Sequence, residues 1–589
     1  MEKDILWRKQ MLNSLNPFED PFLIQKLNPL LIESLHSYWI ALKEAKVSAE
    51  EKLQVEDALY NLVGFAFLHL FQPLYHQHPP KISGSVFLLS AVHSDGIGDY
   101  ITLFKCAKIL KEHHPALEVY LAYTHKQSLP SIDPYLYHIK KENIYAFKET
   151  EEACSVILEP ILEGKKGFLC EAQLDQLLLE HDRLLAEYEA LQETHPQIAL
   201  AIQELSNEVD RSIQSHYYYQ QKKVEAEKLY LLMRKSLAIV HIALALNTFD
   251  NPELASKSLY FAEAGNFQGI ANYLQRHWFS MGLNAFEEGI FLNNHHTTSH
   301  WSCTALCQYL WQVDQPLAEH LENYLKDYAI EVAYLPHSSA HQEVFIEMMC
   351  RFHLHDSRHL TIILPQHKKE QLLHFSDSWM LAYGFSKILV VDFVPSARET
   401  VLNQINLAKR KILRLVYVLP LPASDFTKLI NLSGEIIGCT GDGSLSDCIQ
   451  SGKIPFYEVR RHKTGTLEAF IRLAQKLMLP EVLKYCELLK QFADWPVPSF
   501  LEKFEAILQD SSFRKQWETL VEFIKHYYCL EDSYLALINR FLWMSLSKEV
   551  KEKEKSLINS YFEGTIGAES VYLSLEETLK SQLPKIVES

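Results

Sequence analysis

The sequence predicts an α/β protein: two doubly wound Rossmann-like domains with a helical amino-terminal cap, an inserted helical hairpin and a helical carboxy-terminal region. Three observations carry that expectation. Short apolar runs of strand length alternate with helical segments in two series, one starting near residue 85 and one near residue 330. A long charged helical pair interrupts the first series. The stretches before residue 80 and after residue 466 repeat apolar positions every three or four residues, as amphipathic helices do.

Bulk properties narrow the function classes. At 589 residues the chain exceeds what one hydrophobic core supports. Hydrophobic content of 48% against 22% charged residues excludes disordered and fibrous classes. The 57 basic and 74 acidic residues give a net charge of -17, which speaks against a nucleic-acid partner, since such binding rests on phosphate neutralisation. The segment from Met1 to Trp7 has no apolar signal core, and the apolar stretches 62–71 and 236–246 are about half of the roughly 20 residues that span a bilayer. No membrane span and a cytoplasmic location are expected. Ten scattered cysteines form no CxxC pair, which suits a reducing compartment. Cys303 and Cys307 stand at helical spacing with no second pair nearby, so they read as buried thiols and no metal is expected.

The elements follow in order. Residues 1–80 form the cap, with helices over 22–42 and 48–75, closed by Pro79 and Pro80. Residues 81–329 form the first α/β domain. Its strands at 85–89 and 117–123 flank a helix over 102–112, a βαβ unit, and strands return at 237–246 and 258–262. The hairpin occupies about 171–235 and breaks at Pro196; Leu174, Leu177, His181, Leu184, Tyr188 and Leu191 make its inner stripe. Residues 330–465 form the second α/β domain, with strands at 331–335, 359–364, 387–393, 413–419, 435–439 and 454–457. Residues 466–589 are helical, and the charge run 548–555 is a solvated face.

Two loops carry chemistry, because ligands of open α/β sheets bind at the carboxyl ends of strands, where helices begin. The first follows the strand at 85–89 and holds His93, Asp95, Gly96, Gly98 and Asp99. The second follows the strand at 435–439 and holds Gly441, Asp442, Gly443, Ser444 and Asp447. Gly441 and Gly443 let backbone approach a ligand closely, and a helix starting near Ser444 offers amides and a hydroxyl to phosphate. Asp447 on its first turns can hold a ribose diol. The same letters also make a turn with a helix N-cap, and both readings stand. Ser338 and Ser339 follow the first strand of the second domain, either as donors to a diphosphate or as a helix-capping turn.

Residues 441–455 resemble the carboxy-terminal nucleotide-sugar loop of GT-B glycosyltransferases through Gly441, Ser444, Asp447, Gly452 and Pro455. In its lipid-II-forming N-acetylglucosaminyltransferases the acidic residue at the position of Asp447 holds the ribose. Asp95, Gly98 and Asp99 resemble the Asp-Asn-Tyr-Gly-Asp segment of bacterial protein-arginine rhamnosyltransferases, and Gly441 to Ser444 with Gly452 and Lys453 resemble that family's second loop. Heptosyltransferases carry a similar Gly-Asp loop. The resemblance implies the GT-B fold, Asp95 as general base, Asp99 as supporting carboxylate and Asp442 in the essential acidic position. Asp442 stands where that family has Glu, and Gly443 where it has Asp.

The implied reaction is a metal-independent, inverting transfer of a sugar from a nucleotide-sugar donor, with no cofactor beyond that co-substrate. Asp95 takes the acceptor proton, worth about 10²–10⁴-fold, and His93 can share the task because it titrates near neutrality. The large helical additions suit a protein side chain as acceptor. Two other classes remain open: a nucleotide-sugar epimerase or hydrolase on the same fold, and a non-catalytic interaction protein that binds through its hairpin. The acidic tail 569–580 resembles signals of type IV secretion, which would place the chain in a host cell; an amphipathic helix end explains the same letters. The histidine run 295–300 lacks a completing ligand for metal, and the basic cluster 460–463 is a phosphate-facing group or an exposed loop.

Overall fold

The computed structural model describes residues 16–45, 51–92, 98–125, 132–148, 171–192, 194–243, 251–292, 304–311, 324–366, 375–393, 398–407, 411–459, 464–494 and 500–586. Two compact units emerge: Met1–Met281 with Asp532–Ser589, and Gly282–Glu531.

The first unit holds a six-stranded sheet of β1 (Gly84–Val92), β2 (Leu117–His125), β3 (Ile144–Lys148), β4 (Ala238–Ile242), β5 (Ser258–Ala262) and β6 (Trp278–Ser280). All pairs are parallel, in the order β3-β2-β1-β4-β5-β6. Val86, Phe87, Leu88 and Leu89 are fully buried. A parallel strand between two helical layers has no wet face, hence the continuous apolar run in place of an alternation. The Gly98–His113 helix crosses from β1 to β2. β3 and β6 were not expected from the sequence.

The hairpin lies between β3 and β4 as helices Glu171–Leu191 and Pro196–Lys235, with Pro196 in the first turn, where its missing N–H costs nothing. The far end of the second helix joins the sheet core: Leu229 and Met233 pack with Phe87, Leu89 and Ile239. The cap helices Pro21–Lys26, Pro29–Glu44 and Glu51–Gln77 share this unit with the last helices, Leu530–Leu546, Lys548–Phe562 and Ala568–Ile586. Buried polar contacts join them. Asn539 Nδ2 donates to the Tyr75 carbonyl at 2.9 Å, and Trp543 Nε1 to the His78 carbonyl at 2.8 Å. The tail whose letters resemble an export signal is a packed helix here, with Val571, Leu575 and Leu579 fully buried at a spacing of four.

The second unit holds β7 (Tyr328–Ala333), β8 (His359–Pro365), β9 (Phe385–Asp392), β10 (Arg398–Gln404), β11 (Lys411–Leu419), β12 (Ile436–Cys439) and β13 (Ile454–Tyr457). Their order is β10-β9-β11-β8-β7-β12-β13, parallel except where β10 returns antiparallel on β9. β10 was not foreseen, so the loop after β12 follows the sixth strand of this series, not the fifth. The reason is compositional: β10 is an exposed edge strand with no apolar face to read. Ile330, Val332, Ile363, Val391, Val416 and Ile437 form the core against Leu429, Ile430 and Cys448. On the other edge, helices Pro480–Asp494 and Ser511–Tyr527 cover β13. Tyr485 donates to the Pro455 carbonyl at 2.8 Å and Trp517 to the Lys453 carbonyl at 3.1 Å.

Among the described residues no helix is long and apolar enough to cross a membrane.

Candidate functional site

In a doubly wound sheet the binding crevice opens where strand order reverses, at the carboxyl ends. In the second unit that point lies between β7 and β12, whose register pairs Ile437 with Val332 and Gly438 with Ala333. Gly438 is required there. A Cβ on it would stand 2.6 Å from the Ala333 Cβ and 2.9 Å from the Ala333 Cα, so only glycine lets the strands approach.

Two helices start beside this crevice, Ser339–Phe352 after β7 and Gly441–Gln450 after β12. Their N-termini differ. Ser338 caps the first, its hydroxyl oxygen accepting the His341 amide at 3.3 Å. The second has no side-chain cap: the hydroxyl of its N-cap residue Thr440 points to the Glu458 carbonyl at 3.4 Å. The amides of a first helical turn have no intrahelical acceptor, and the positive end of the helix dipole lies at the same place. Gly441 takes φ +73° with no heavy atom within 4 Å of where a Cβ would stand, and the exposed Gly443 has the same open space.

The helix begins three residues earlier than its expected start near Ser444. That offset moves the other candidates. Ser444 is buried, and its hydroxyl donates to the Thr440 carbonyl at 2.5 Å while accepting the Thr440 amide at 3.1 Å. Asp442 occupies the first turn. Asp447 stands six residues beyond Gly441, about 9 Å along the axis at 1.5 Å per residue. Lys453 sits at the other end of the sheet, just before β13, with its ammonium donating to the Ser433 carbonyl at 3.0 Å.

Residues not singled out in the sequence line the same end. Glu458, directly after β13, is buried, and its amide donates to the Cys439 carbonyl at 2.8 Å. Burial, then the Asp442 charge, raises the Tyr457 phenol well above its ordinary value. Burial and the Glu458 charge raise Tyr334 likewise. Both phenols therefore stay protonated and can donate. His341 packs against the Phe492 ring at 4.6 Å, and burial lowers its imidazole to about 4. A carboxylate directly after an apolar strand was the legible signal for Glu458.

In the first unit the order reverses between β1 and β4. Val92 ends β1 and Gly98 opens the following helix, with Asp99 in its first turn. Tyr100 and Tyr123 stand ring to ring at 5.1 Å just below. His93, Asp95 and Gly96 lie outside the described residues, as do the histidine run and the basic cluster 460–463. Thus Gly98 and Asp99 belong to one unit, and Ser338, Ser339, Gly441, Asp442, Gly443, Ser444 and Asp447 to the other. Among the described residues no group of three or more His, Cys, Asp or Glu side chains is placed to hold a metal.

The chain thus holds two doubly wound α/β units. No protein-family model matches the chain, and no curated protein sequence matches it. Solved structures similar to it include the spinosyn rhamnosyltransferase SpnG with thymidine diphosphate, at 8% identity over 75% of this chain and 96% of that one, TM-score 0.31. The Medicago truncatula UGT71G1 with UDP-glucose is 12% identical over 79% and 98%, TM-score 0.34. The S. aureus MnaA with UDP is 13% identical over 76% and 97%, TM-score 0.29. At such identities and TM-scores these likenesses carry no argument about activity.

Proposed function

We propose that the chain is a glycosyltransferase that moves a sugar from a nucleotide-sugar donor to an acceptor nucleophile. One observation carries the reading: the uncapped N-terminus of the Gly441–Gln450 helix stands at the reversal point of the second sheet, with open space over Gly441 and Gly443. An anionic diphosphate suits that position, because first-turn backbone amides and the positive end of the helix dipole meet it there. As the glycosidic bond breaks, charge grows on the leaving diphosphate, and preset amide donors stabilise it without reorganising. In this reading the transfer is inverting and metal-independent.

The proton of the acceptor goes to Asp95, supported by Asp99 and His93, in the loop that continues β1. Asp442, in the first helical turn, lies too close to the phosphate amides to serve the acceptor. We assign it to orienting the donor. A protein side chain is the proposed acceptor class, on account of the helical additions. Cytoplasmic action is the first proposal for location. Export to a host cell is the second, tested by fusing residues 567–589 to a reporter in a secretion assay.

The deciding experiment is calorimetric titration of the full chain with UDP, TDP, GDP and ADP, followed by donor hydrolysis in the binding case. Binding of one nucleotide, with hydrolysis of its sugar conjugate lost in Asp95→Ala while binding persists, supports a transferase. Binding with sugar epimerisation and no transfer would move the chain to the epimerase class. Failure of every nucleotide to bind would leave a non-catalytic scaffold.

A further inference from the structure

The inserted hairpin joins the sheet core near one end, where Leu229 and Met233 of its second helix pack. About 50 Å of helix axis separates Leu229 from Pro196, where that helix begins, at 1.5 Å per residue. Over this distal stretch the two helices pack on each other, burying Leu184 of the first and Ala199, Ser206 and Ile213 of the second. Another set of apolar residues is left outside. Ile198, Ala201 and Leu205 recur at spacings of three and four on the second helix and are exposed, Ile198 and Leu205 each at 53%. Leu179, Ala186 and Ala190, at spacings of seven and four, are exposed on the first, Leu179 at 71%. These spacings follow one side of a helix, so each helix carries a second apolar stripe besides the one used inside the hairpin. Of the 19 exposed large hydrophobic side chains among the described residues, six fall within 171–217, a concentration beyond the single scatter of ordinary surfaces.

Charge tells what covers those stripes. Residues 171–217 hold ten acidic residues against two arginines, a net charge of -8 with histidines neutral. Arg183 is engaged on its own helix, donating to Glu180 and to Glu187 at 2.6 Å each. Asp182, Glu189, Glu204 and Glu208 stand exposed among the apolar positions. We propose that the outer face of this hairpin docks a basic amphipathic helix of a partner protein. The apolar side of that helix covers Ile198, Ala201 and Leu205, and its lysines or arginines meet the flanking carboxylates. A second copy of the chain would bring like charge against like charge, which is unfavourable. The docking is independent of the glycosyltransferase reading, since none of these residues belongs to either sheet.

The test titrates the full chain into a labelled synthetic amphipathic helix of leucine and lysine, read by fluorescence anisotropy. Its control is a peptide of the same composition, scrambled so that no side is apolar. The parent should bind the amphipathic helix about tenfold more tightly than the scrambled peptide. Ile198→Gln combined with Leu205→Gln should lose about tenfold in affinity. Glu204→Gln combined with Glu208→Gln should weaken binding and lessen its salt dependence. Both pairs replace exposed side chains, so their circular dichroism should match the parent. Equal binding of the two peptides, parent-like binding by either variant pair, or no binding at all overturns the proposal. So does a parent dimer in sedimentation that Ile198→Gln with Leu205→Gln dissociates, which would seat a second copy on this face.

Discussion

The Tyr75 hydroxyl donates to the Glu554 carboxylate at 2.5 Å, joining the end of the amino-terminal cap to a helix 479 residues away in sequence. Arg540 completes the contact, with Nη2 donating to the other carboxylate oxygen at 2.6 Å. Glu554 is buried and most of Arg540 is covered.

Removing either partner therefore has unequal cost. Tyr75→Phe loses one hydrogen bond and should lower stability by about 1 kcal/mol. Arg540→Met leaves a buried carboxylate without its cation and should cost about 3–5 kcal/mol. Urea unfolding of both variants measures the difference, and equal losses would contradict the geometry.

The helix that carries Arg540, Leu530–Leu546, makes stability sensitive to acid. His277 packs edge-on against Phe541 at 5.3 Å, and burial, then the Arg540 and Lys551 charges, lowers it from 6.5 to about 4. His114, bonded to Asn539 at 2.7 Å and neighboured by His113, is also lowered by burial. Their folded values are depressed, so the unfolded chain takes up protons first as pH falls. Stability is then full above 6.5 and lost on the way down toward about 4. His277→Asn, which tolerates the left-handed backbone at φ +50°, should flatten part of that decline in urea midpoints measured across the range.

Gly441 and Gly443 should respond differently to alanine. Gly441→Ala forces a side chain into φ +73° and should cost about 1–2 kcal/mol along with nucleotide affinity. Gly443 has ordinary helical backbone and open space, so Gly443→Ala should hold or raise the melting temperature, alanine being favoured by about 1 kcal/mol in a helix. The new methyl occupies space assigned to the diphosphate, so affinity should still fall. A destabilised Gly443→Ala, or one that binds normally, would sink this expectation.

Gly438→Ala should separate β7 from β12 and cost about 1–3 kcal/mol by overpacking against Ala333. If the crevice binds nucleotide, affinity falls by more than stability alone explains. Titration at a temperature where the variant remains folded checks that.

Strand and helix identity were legible wherever burial imposed a period or a solid apolar run. β13 coincides with its expected bounds, and the hairpin breaks at Pro196. β10 escaped because an exposed antiparallel edge has no apolar requirement. Local sequence also marked the glycines and acids after β12, since close backbone approach and left-handed turns restrict residue choice at each position separately.

What the sequence by itself determined was the two wound sheets and the helical hairpin inserted in the first of them. Only the tertiary structure decided that the last helices pack with the amino-terminal cap, through contacts such as Tyr75 with Glu554. It also decided that Ser444 spends its hydroxyl on Thr440 and that Lys453 lies at the far end of the sheet. The physical reason is range. Propensity and periodicity report the demands of neighbouring residues, whereas a hydrogen-bond partner or a packing surface is fixed by where distant segments meet.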